Sequence, residues 1–481
     1  MNSSSEGGNI TGVHQEPVNE FGKIEAYGID IIPESDRHST PKDLFWPWFS
    51  ANSTFINMIV GGVLILLGLN ILQALGAVLV GNLVFILVGV CSLPGPRAGT
   101  ATLTISRAPF GLRGNFLPSM FSWFATLGWE TINIILGTLA LRTLLQQLGL
   151  NTPKWALAPF LVLMALLTFA IPILGHATLV VAQKWLAYLL TALTLVMGII
   201  LLPKVHWNYA GGTLAASNSV STWFLGLTSV LGAGAISWVN FASDYSRYLP
   251  RRTNGKAIVG WVTLATLIPG ILYGSLGVLL GTLVDTSDPI NNLPKILPSW
   301  FLFPFLIVIL AGVLANNVMN SYSSGLSLLA LGVHIARYKS VFVDGVITVI
   351  AACISLFIYD FSTVFTQFLS MLVILLAPWA GVFVVDFWLR RGEYESHDLL
   401  ASKGGKYWYS NGFGWSALTA LIVGVVAGAL VANTAKFQGV IAMKYLGGAD
   451  ISPFVGLIVG AGLYYLLAAK SVRAMTSEGQ K

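Results

Sequence analysis

About twelve apolar runs of some 20 residues each follow one another from Phe45 to Ala469, separated by short polar or basic segments. Inside a bilayer every backbone N–H and C=O has to find its partner within the protein, so runs of this kind fold as helices. Only 10% of the 481 residues are charged and 55% are hydrophobic, whereas a soluble domain carries about 25% charged residues. The expected fold class is therefore an all-α, multi-pass membrane protein. Its spans are read at residues 45–70, 72–92, 115–144, 155–174, 179–202, 222–245, 257–283, 300–333, 341–358, 361–387, 415–431 and 453–469. Residues 1–44 are polar and acidic, with no apolar core of a signal peptide, and are read as a cytoplasmic tail. Residues 470–481 form a second tail.

Charge orients the spans. Arg97, Arg107, Arg113, Arg247, Arg251, Arg252, Arg390 and Arg391 fall in connections on one side, and only scattered basic residues such as Lys154 and Lys204 fall on the other. Basic residues collect on the cytoplasmic side, which puts both termini inside, in a plasma (inner) membrane. The net charge of +6 belongs to these loops and not to a nucleic-acid surface. Cys91 and Cys353 stand alone in apolar surroundings and suggest neither a metal nor a redox site.

Two spans are interrupted. The first holds WFSANSTFIN, with Asn52, Thr54 and Asn57 between apolar flanks; the sixth holds LGAGAISWVNFASDYSRYLP, where Gly232, Ala233 and Gly234 precede Ser237, Trp238 and Asn240. Broken helices in matching positions of two oppositely oriented repeats mark transporter sites near the bilayer midplane. The breaks lie five spans apart, an odd offset, so the two halves have opposite topology. This divides the chain into repeat one at about 45–202, repeat two at about 222–387 and two extra helices at about 415–469.

Polar side chains in spans face a partner or a cavity. Besides the two breaks, they cluster in GWETIN on the third span (Trp129, Glu130, Asn133) and in LANNVMNSYSSG on the eighth (Asn316, Asn317, Asn320). Trp129 and Asn133, four apart, share a helix face. Any one Asn can equally serve to bind a neighbouring helix. Glu130 has no basic neighbour in its run, and an intramembrane carboxylate is by default a functional acid. Asp244 and Arg247, at the end of the sixth span, are expected to form a gate or a structural salt bridge. Aromatic plates beside amides suit a flat, neutral heterocycle such as a nucleobase, for which stacking is worth roughly 1–3 kcal/mol. Clusters at mid-membrane favour a carrier over a channel, and the spans show no paired acids or nucleophile–base pair of an enzyme.

The segments PESDRHSTPKDLFWPWFSAN, PGPRAGTATLTISRAPFGLRG, GWETIN, ASDYSRYLP and ANNVMNSYSSGLSLL together resemble the nucleobase–cation symporter family, in particular its purine–cytosine permease branch. The likeness extends from about Glu16 to the twelfth span, and the SRxxFGxxG pattern at Ser106–Gly114 and SDYSRY at Ser243–Tyr248 are its most specific parts. It implies two inverted five-helix repeats of the LeuT-like kind plus two C-terminal helices. It also implies import of a purine or cytosine with a cation by alternating access and no organic cofactor. Members hold the base between aromatics on the third and sixth spans. Trp129 and Asn133 match the first of these. Ala235 occupies the second place, with Trp238 three residues on, which leaves room for a base larger than cytosine. In sodium-coupled members, carbonyls of the broken first helix and paired hydroxyls on the eighth bind the ion. Ala315 and Asn316 stand at the hydroxyl positions, so the coupling ion is expected to be H+ carried by Glu130, with Na+ as the alternative. A vitamin-like heterocycle (pyridoxine or thiamine type) or a ureide (allantoin, hydantoin) is the alternative substrate.

Overall fold

The computed structural model describes residues 22, 25, 27–174, 176–212, 219–286, 288–333, 335–358, 361–401, 403–434 and 436–478. The expected cytoplasmic tails therefore lie partly outside the described residues. Among those described, the secondary structure is helical, with two isolated bridges at Ser410–Phe413 and Asn433–Gln438 and no strand. Among the described residues, nine helices are long and apolar enough to cross a membrane, or ten if the bent pair Pro41–Asn52 and Phe55–Leu66 is one span. Two shorter apolar helices, Lys154–Ala170 and Trp415–Leu430, complete the order of spans read from the sequence.

The first span breaks where the sequence turns polar. Helix α1 (Phe45–Asn52) stops at Ser53, and α2 (Phe55–Leu66) leaves at 53° to it. Short hydroxyl side chains bond the local backbone in competition with the helix: Ser53 Oγ donates to Phe49 O at 2.8 Å, and Thr54 Oγ1 accepts from Ile56 N at 3.5 Å as the N-cap of α2. The second span comprises α3 (Ile71–Leu83) and α4 (Ile86–Cys91). Asn70 and Gln73 start it with a reciprocal cap of 2.9 and 3.1 Å. The third to fifth spans are α5 (Phe116–Gln147), α6 (Leu157–Leu174) and α7 (His176–Leu201). The sixth is interrupted at Gly234, between α8 (Ser219–Ala233) and α9 (Ala235–Trp238), and continues as α10 (Ala242–Ser246). Then follow α11 (Gly255–Gly281), α12 (Ser299–Ala330), α13 (Arg337–Ile358), α14 (Phe361–Leu389), α15 (Trp415–Leu430) and α16 (Ser452–Glu478).

The spans with the most interior polar residues are also the most buried. Helices α5, α8 and α12 are central, whereas α7, α13 and α16 turn most of their surface outward. Leu72, at 81% exposed, and Leu166, Ile199 and Ile458 present the apolar belt that lipid covers. Small residues let helices approach closely without a hydrophobic driving force. A Cβ on Gly277 of α11 would lie 2.0 Å from Met58 O of α2, and one on Gly61 would lie 2.1 Å from Gly274 O.

Two segments read from the sequence as connection and tail fold into the body. Residues 94–110 form three short helical turns, in which Thr102, Thr104 and Ser106 are wholly buried and Arg107 nearly so. Glu25, Tyr27, Ile32 and Arg37 of the tail are buried as well. Arg37 donates to Ile32 O at 2.8 and 2.7 Å and to Pro96 O at 3.0 Å, which pins the tail to the 94–110 segment. Burial lowers the Arg37 guanidinium below its usual range, and Glu34 at 3.1 Å opposes this.

Candidate functional site

Helix α12 runs along α5, and their polar residues meet across the shared seam. Asn316 is the joint. Its Nδ2 donates to Ala51 O, at the end of α1, at 2.8 Å. Its Oδ1 accepts from Asn133 Nδ2 at 2.8 Å and from Asn320 Nδ2 at 2.7 Å. Asn133 Nδ2 also donates to Trp129 O at 2.9 Å, and Asn317 Nδ2 to Glu130 O at 3.2 Å. Trp129, Glu130, Asn133, Asn316, Asn317 and Asn320 thus form one buried cluster tied to the break in the first span.

A broken span frees carbonyl oxygens that lipid leaves unsatisfied. Here side-chain amides take them. Besides Asn316 on Ala51 O, Asn57 Nδ2 donates to Asn52 O at 2.7 Å and Asn52 Nδ2 to Trp48 O at 2.8 Å. On α12, Ala315 O accepts from Gln183 Nε2 of α7 at 2.7 Å. A hard cation requires converging oxygen ligands, yet at Asn52, Ala315 and Asn316 the groups aimed at those oxygens are N–H donors. The Thr54 hydroxyl is likewise engaged, as a helix cap. Among the described residues no three His, Cys, Asp or Glu side chains gather as a metal site.

Other polar atoms of the cluster are buried without a partner in the protein: Trp129 Nε1 and the amide oxygens of Asn133, Asn317 and Asn320. Asn240 Oδ1 is a fourth such amide oxygen, while Asn240 Nδ2 donates to Ser122 Oγ on α5 at 2.5 Å. Each buried orphan costs about 1–3 kcal/mol, so their concentration marks a place where a polar ligand completes the bonds. Acceptors outnumber donors, which favours a ligand rich in N–H groups.

The aromatic neighbours of Trp129 differ from those expected. Its ring meets Phe368 edge-on at 5.3 Å and Phe365 at 6.4 Å, both on α14. Trp238 instead packs edge-on against Trp48 at 5.5 Å and Phe241 at 6.0 Å, and Ala235 is fully buried beside the break. Phe365 and Phe368 look like ordinary greasy residues in their run, and only Gly128 hints at them. A Cβ on Gly128 would lie 2.1 Å from the Phe368 ring, so the glycine beside Trp129 makes room for that ring.

Glu130 is wholly buried. Its Oε2 accepts from Thr348 Oγ1 of α13 at 3.0 Å, and its Oε1 has no partner. The charged group whose field reaches it is Asp344, a second buried acid on α13 that the sequence reading passed over.

The expected Asp244–Arg247 salt bridge is not formed. Asp244 Oδ1 accepts from Thr102 N and Thr102 Oγ1, each at 2.8 Å. Arg247 instead pairs with Glu25 of the tail at 3.2 Å, and also donates to Gly28 O at 2.6 Å and Tyr322 OH at 2.8 Å. The reason is direction: Asp244 faces the 94–110 segment, whereas Arg247 extends toward the tail. Tyr248 OH donates to Glu25, Tyr322 OH does so at 3.1 Å, and His176 donates its backbone N–H to Glu25 Oε2 at 2.8 Å. The His176 ring stacks on Tyr248 at 4.0 Å. Nothing in the sequence of the polar tail singles out Glu25 as the partner of this buried arginine.

Comparison with known proteins follows the same lines. Residues 31–456 match the family described as permeases for cytosine/purines, uracil, thiamine and allantoin. The putative purine-cytosine permease YxlA of Bacillus subtilis (strain 168) is 28% identical over 468 residues, covering 92% of this chain and 96% of that protein. The purine-uracil permease NCS1 of Arabidopsis thaliana is 24% identical over 505 residues, covering 96% and 82%. Among solved structures, Mhp1, a nucleobase-cation-symport-1 family transporter in a closed conformation with bromovinylhydantoin bound, is similar with a TM-score of 0.74 at 19% identity, covering 94% of this chain and 96% of that one. That likeness gives the fold, a LeuT-like bundle. Matched by this family over residues 31–456 and by such a relative over 92% of its length, the chain belongs to the nucleobase–cation symporter family of membrane permeases.

Proposed function

We propose that the protein imports a nucleobase, a purine or cytosine, together with a proton, by alternating access across the plasma (inner) membrane with both termini in the cytoplasm. The observation that carries the substrate is the set of orphaned amide oxygens around Trp129. Purines and cytosine present ring and exocyclic N–H donors in one plane, which suits acceptors beside an aromatic face. Trp129 supplies the stacking surface, Asn133, Asn317 and Asn320 the acceptors, and Asn240 a further acceptor from the sixth span. Proton coupling is supported by the amide N–H groups at Ala51 O, Asn52 O and Ala315 O, and by a buried acid, Glu130, next to the stacking residue. Arg247 and Asp244 close the end of the molecule that carries the tail.

A ureide ring such as hydantoin or allantoin offers similar N–H edges, and the structural likeness to a transporter solved with bromovinylhydantoin supports it as the second reading. Competition against labelled adenine and cytosine uptake separates the two. Unlabelled purines should compete, and N-methylated purines, stripped of their N–H donors, should not. If allantoin or hydantoin competes and no base does, the nucleobase assignment falls and the carrier remains.

A further inference from the structure

Asp344 faces the same seam as Glu130, and the transport reading leaves it without a role. Ser340, Asp344, Thr348 and Ala352 recur every fourth residue and form the buried stripe of a helix that otherwise faces outward. Trp123 Nε1 donates to Asp344 Oδ1 at 2.8 Å, and Asp344 Oδ2 has no partner. On the Glu130 side, Thr348 holds Oε2 and leaves Oε1 without one. Each carboxyl is thus fixed through one oxygen and open at the other.

Among the described side chains, the helices packed on this seam bring no base to either acid. Helix α6 has no ionisable side chain. Helix α12 has Tyr322, engaged with Arg247 and Glu25, and α14 has Asp386, paired with Arg390 at 2.8 Å. Helix α5 adds Arg142, more than three turns beyond Glu130. Helix α13 adds Arg337, Tyr338 and Lys339 in its first turn, and Cys353. Two carboxyl groups in one dry site do not both ionise; they hold one proton between them.

The pair also has a direction. Trp123 precedes Glu130 by seven residues, about 10 Å of helical rise, toward the end of α5 that meets the 94–110 segment. Asp344 therefore lies nearer than Glu130 to the face that carries Arg247. Beyond it the seam stays hydroxylic: Ser324 adjoins Asp344, the Thr126 and Ser324 hydroxyls are 3.0 Å apart, and those of Ser122 and Ser327 are 3.3 Å apart. An open cavity of 690 Å³ lined by Leu329, Ile335 and Ala336 begins at that end of α12 and α13.

We propose that Glu130 and Asp344 form a two-station proton carrier, with Asp344 the station from which the proton leaves toward the Arg247 face. The O–H bond of protonated Glu130 breaks as an O–H bond forms at Asp344 Oδ2, so the pair keeps a single negative charge throughout. Asp344 then gives the proton to the hydroxyl-lined seam, where each hydroxyl takes one proton as it passes on its own, while Glu130 takes up the next proton from the opposite side, so that the two carboxyls are never ionised together. This rests on the proton-coupled reading above.

The test uses the full chain in proteoliposomes with labelled adenine and cytosine, and compares the wild type with Glu130→Gln, Asp344→Asn and Asp344→Glu. Counterflow without any gradient reads binding and alternation; accumulation under an inward proton gradient reads coupling. Asp344→Asn should keep counterflow within about twofold and lose accumulation roughly tenfold or more; Glu130→Gln should lose accumulation likewise, and Asp344→Glu should restore what Asp344→Asn loses. If Asp344→Asn accumulates base like the wild type while Glu130→Gln does not, Glu130 works alone and the two-station carrier is wrong. Where Asp344→Asn loses counterflow too, Asp344→Glu decides: recovery of accumulation together with counterflow supports the carrier, and anything less overturns it. Accumulation unchanged in both single variants, or absent from the wild type, refutes proton-coupled base transport itself.

Discussion

Asn316→Ala removes the amide that ties the Trp129 cluster to the broken first span. Three hydrogen bonds disappear, to Ala51 O at 2.8 Å, from Asn133 at 2.8 Å and from Asn320 at 2.7 Å. Asn133 keeps its bond to Trp129 O at 2.9 Å, whereas Ala51 O and Asn320 Nδ2 lose theirs. Interhelical hydrogen bonds in membranes average about 0.6 kcal/mol and a pair four apart on one helix adds about 0.2–0.5 kcal/mol, so the bonds to α1 and α5 and the one within α12 are together worth roughly 1.5–2 kcal/mol. Two orphaned buried groups at about 1–3 kcal/mol each give roughly 2–6 kcal/mol. The two routes meet at about 2 kcal/mol, a factor of about 30 in an equilibrium constant. Asn317→Ala is the comparator, because it removes one bond of 3.2 Å to Glu130 O and should cost about 0.6 kcal/mol, less than threefold. Both variants are assayed by thermal unfolding in detergent. The reasoning is refuted if Asn316→Ala costs no more stability than Asn317→Ala.

Further expectations follow from the packing. Gly128→Ala puts a Cβ 2.1 Å from the Phe368 ring, which packs edge-on against Trp129. Overpacking of about 1–3 kcal/mol should fall largely on base binding, so a binding titration should show roughly tenfold weaker affinity. Glu25→Gln strips the buried Arg247 of its carboxylate partner, a loss of about 3–5 kcal/mol, and should make residues 27–37 far quicker to cut by protease; unchanged cleavage would mean the tail is held by its other contacts. Gly277→Ala forces α11 off Met58 O, 2.0 Å from the new Cβ, and should lower thermal stability by about 1–3 kcal/mol. Gly462→Ala, with nothing within 4 Å of its Cβ, is its control and should not lower stability, since alanine suits a helix interior better than glycine by about 0.5–1 kcal/mol.

The sequence exposes what periodicity and polarity can carry. Apolar runs of membrane length announce the helices, and the breaks at Ser53 and Gly234 are visible because polar or small residues interrupt greasy ones. Trp129, Asn133, Asn316 and Asn320 stand out for the same reason, and three of these four lie within hydrogen-bonding reach of one another through their side chains. What stays hidden depends on partners distant in the chain. Asp344 sits three residues into the run read at 341–358, and only its spacing of four from Thr348 places it on an inner stripe. Glu25 belongs to a polar segment whose composition reads as solvated, and its burial comes from Arg247, more than 200 residues away. Trp238 stands three residues past the sixth-span position at which relatives place an aromatic, and nothing in its run announces that the turn after Gly234 packs it edge-on against Trp48. Local patterns specify which groups are buried, and the fold decides which buried groups meet.

The central claim is that a base moves with a proton and without sodium. Its most direct test is the uptake of labelled cytosine, adenine and hypoxanthine into proteoliposomes holding the purified chain, under an inward proton gradient or an inward sodium gradient, each imposed alone. With amide N–H groups on Ala51 O, Asn52 O and Ala315 O, the proton gradient alone should drive accumulation and the sodium gradient alone should not. Accumulation that appears only with sodium would contradict the account, because those carbonyls would then be binding the ion that their amide partners are held to exclude.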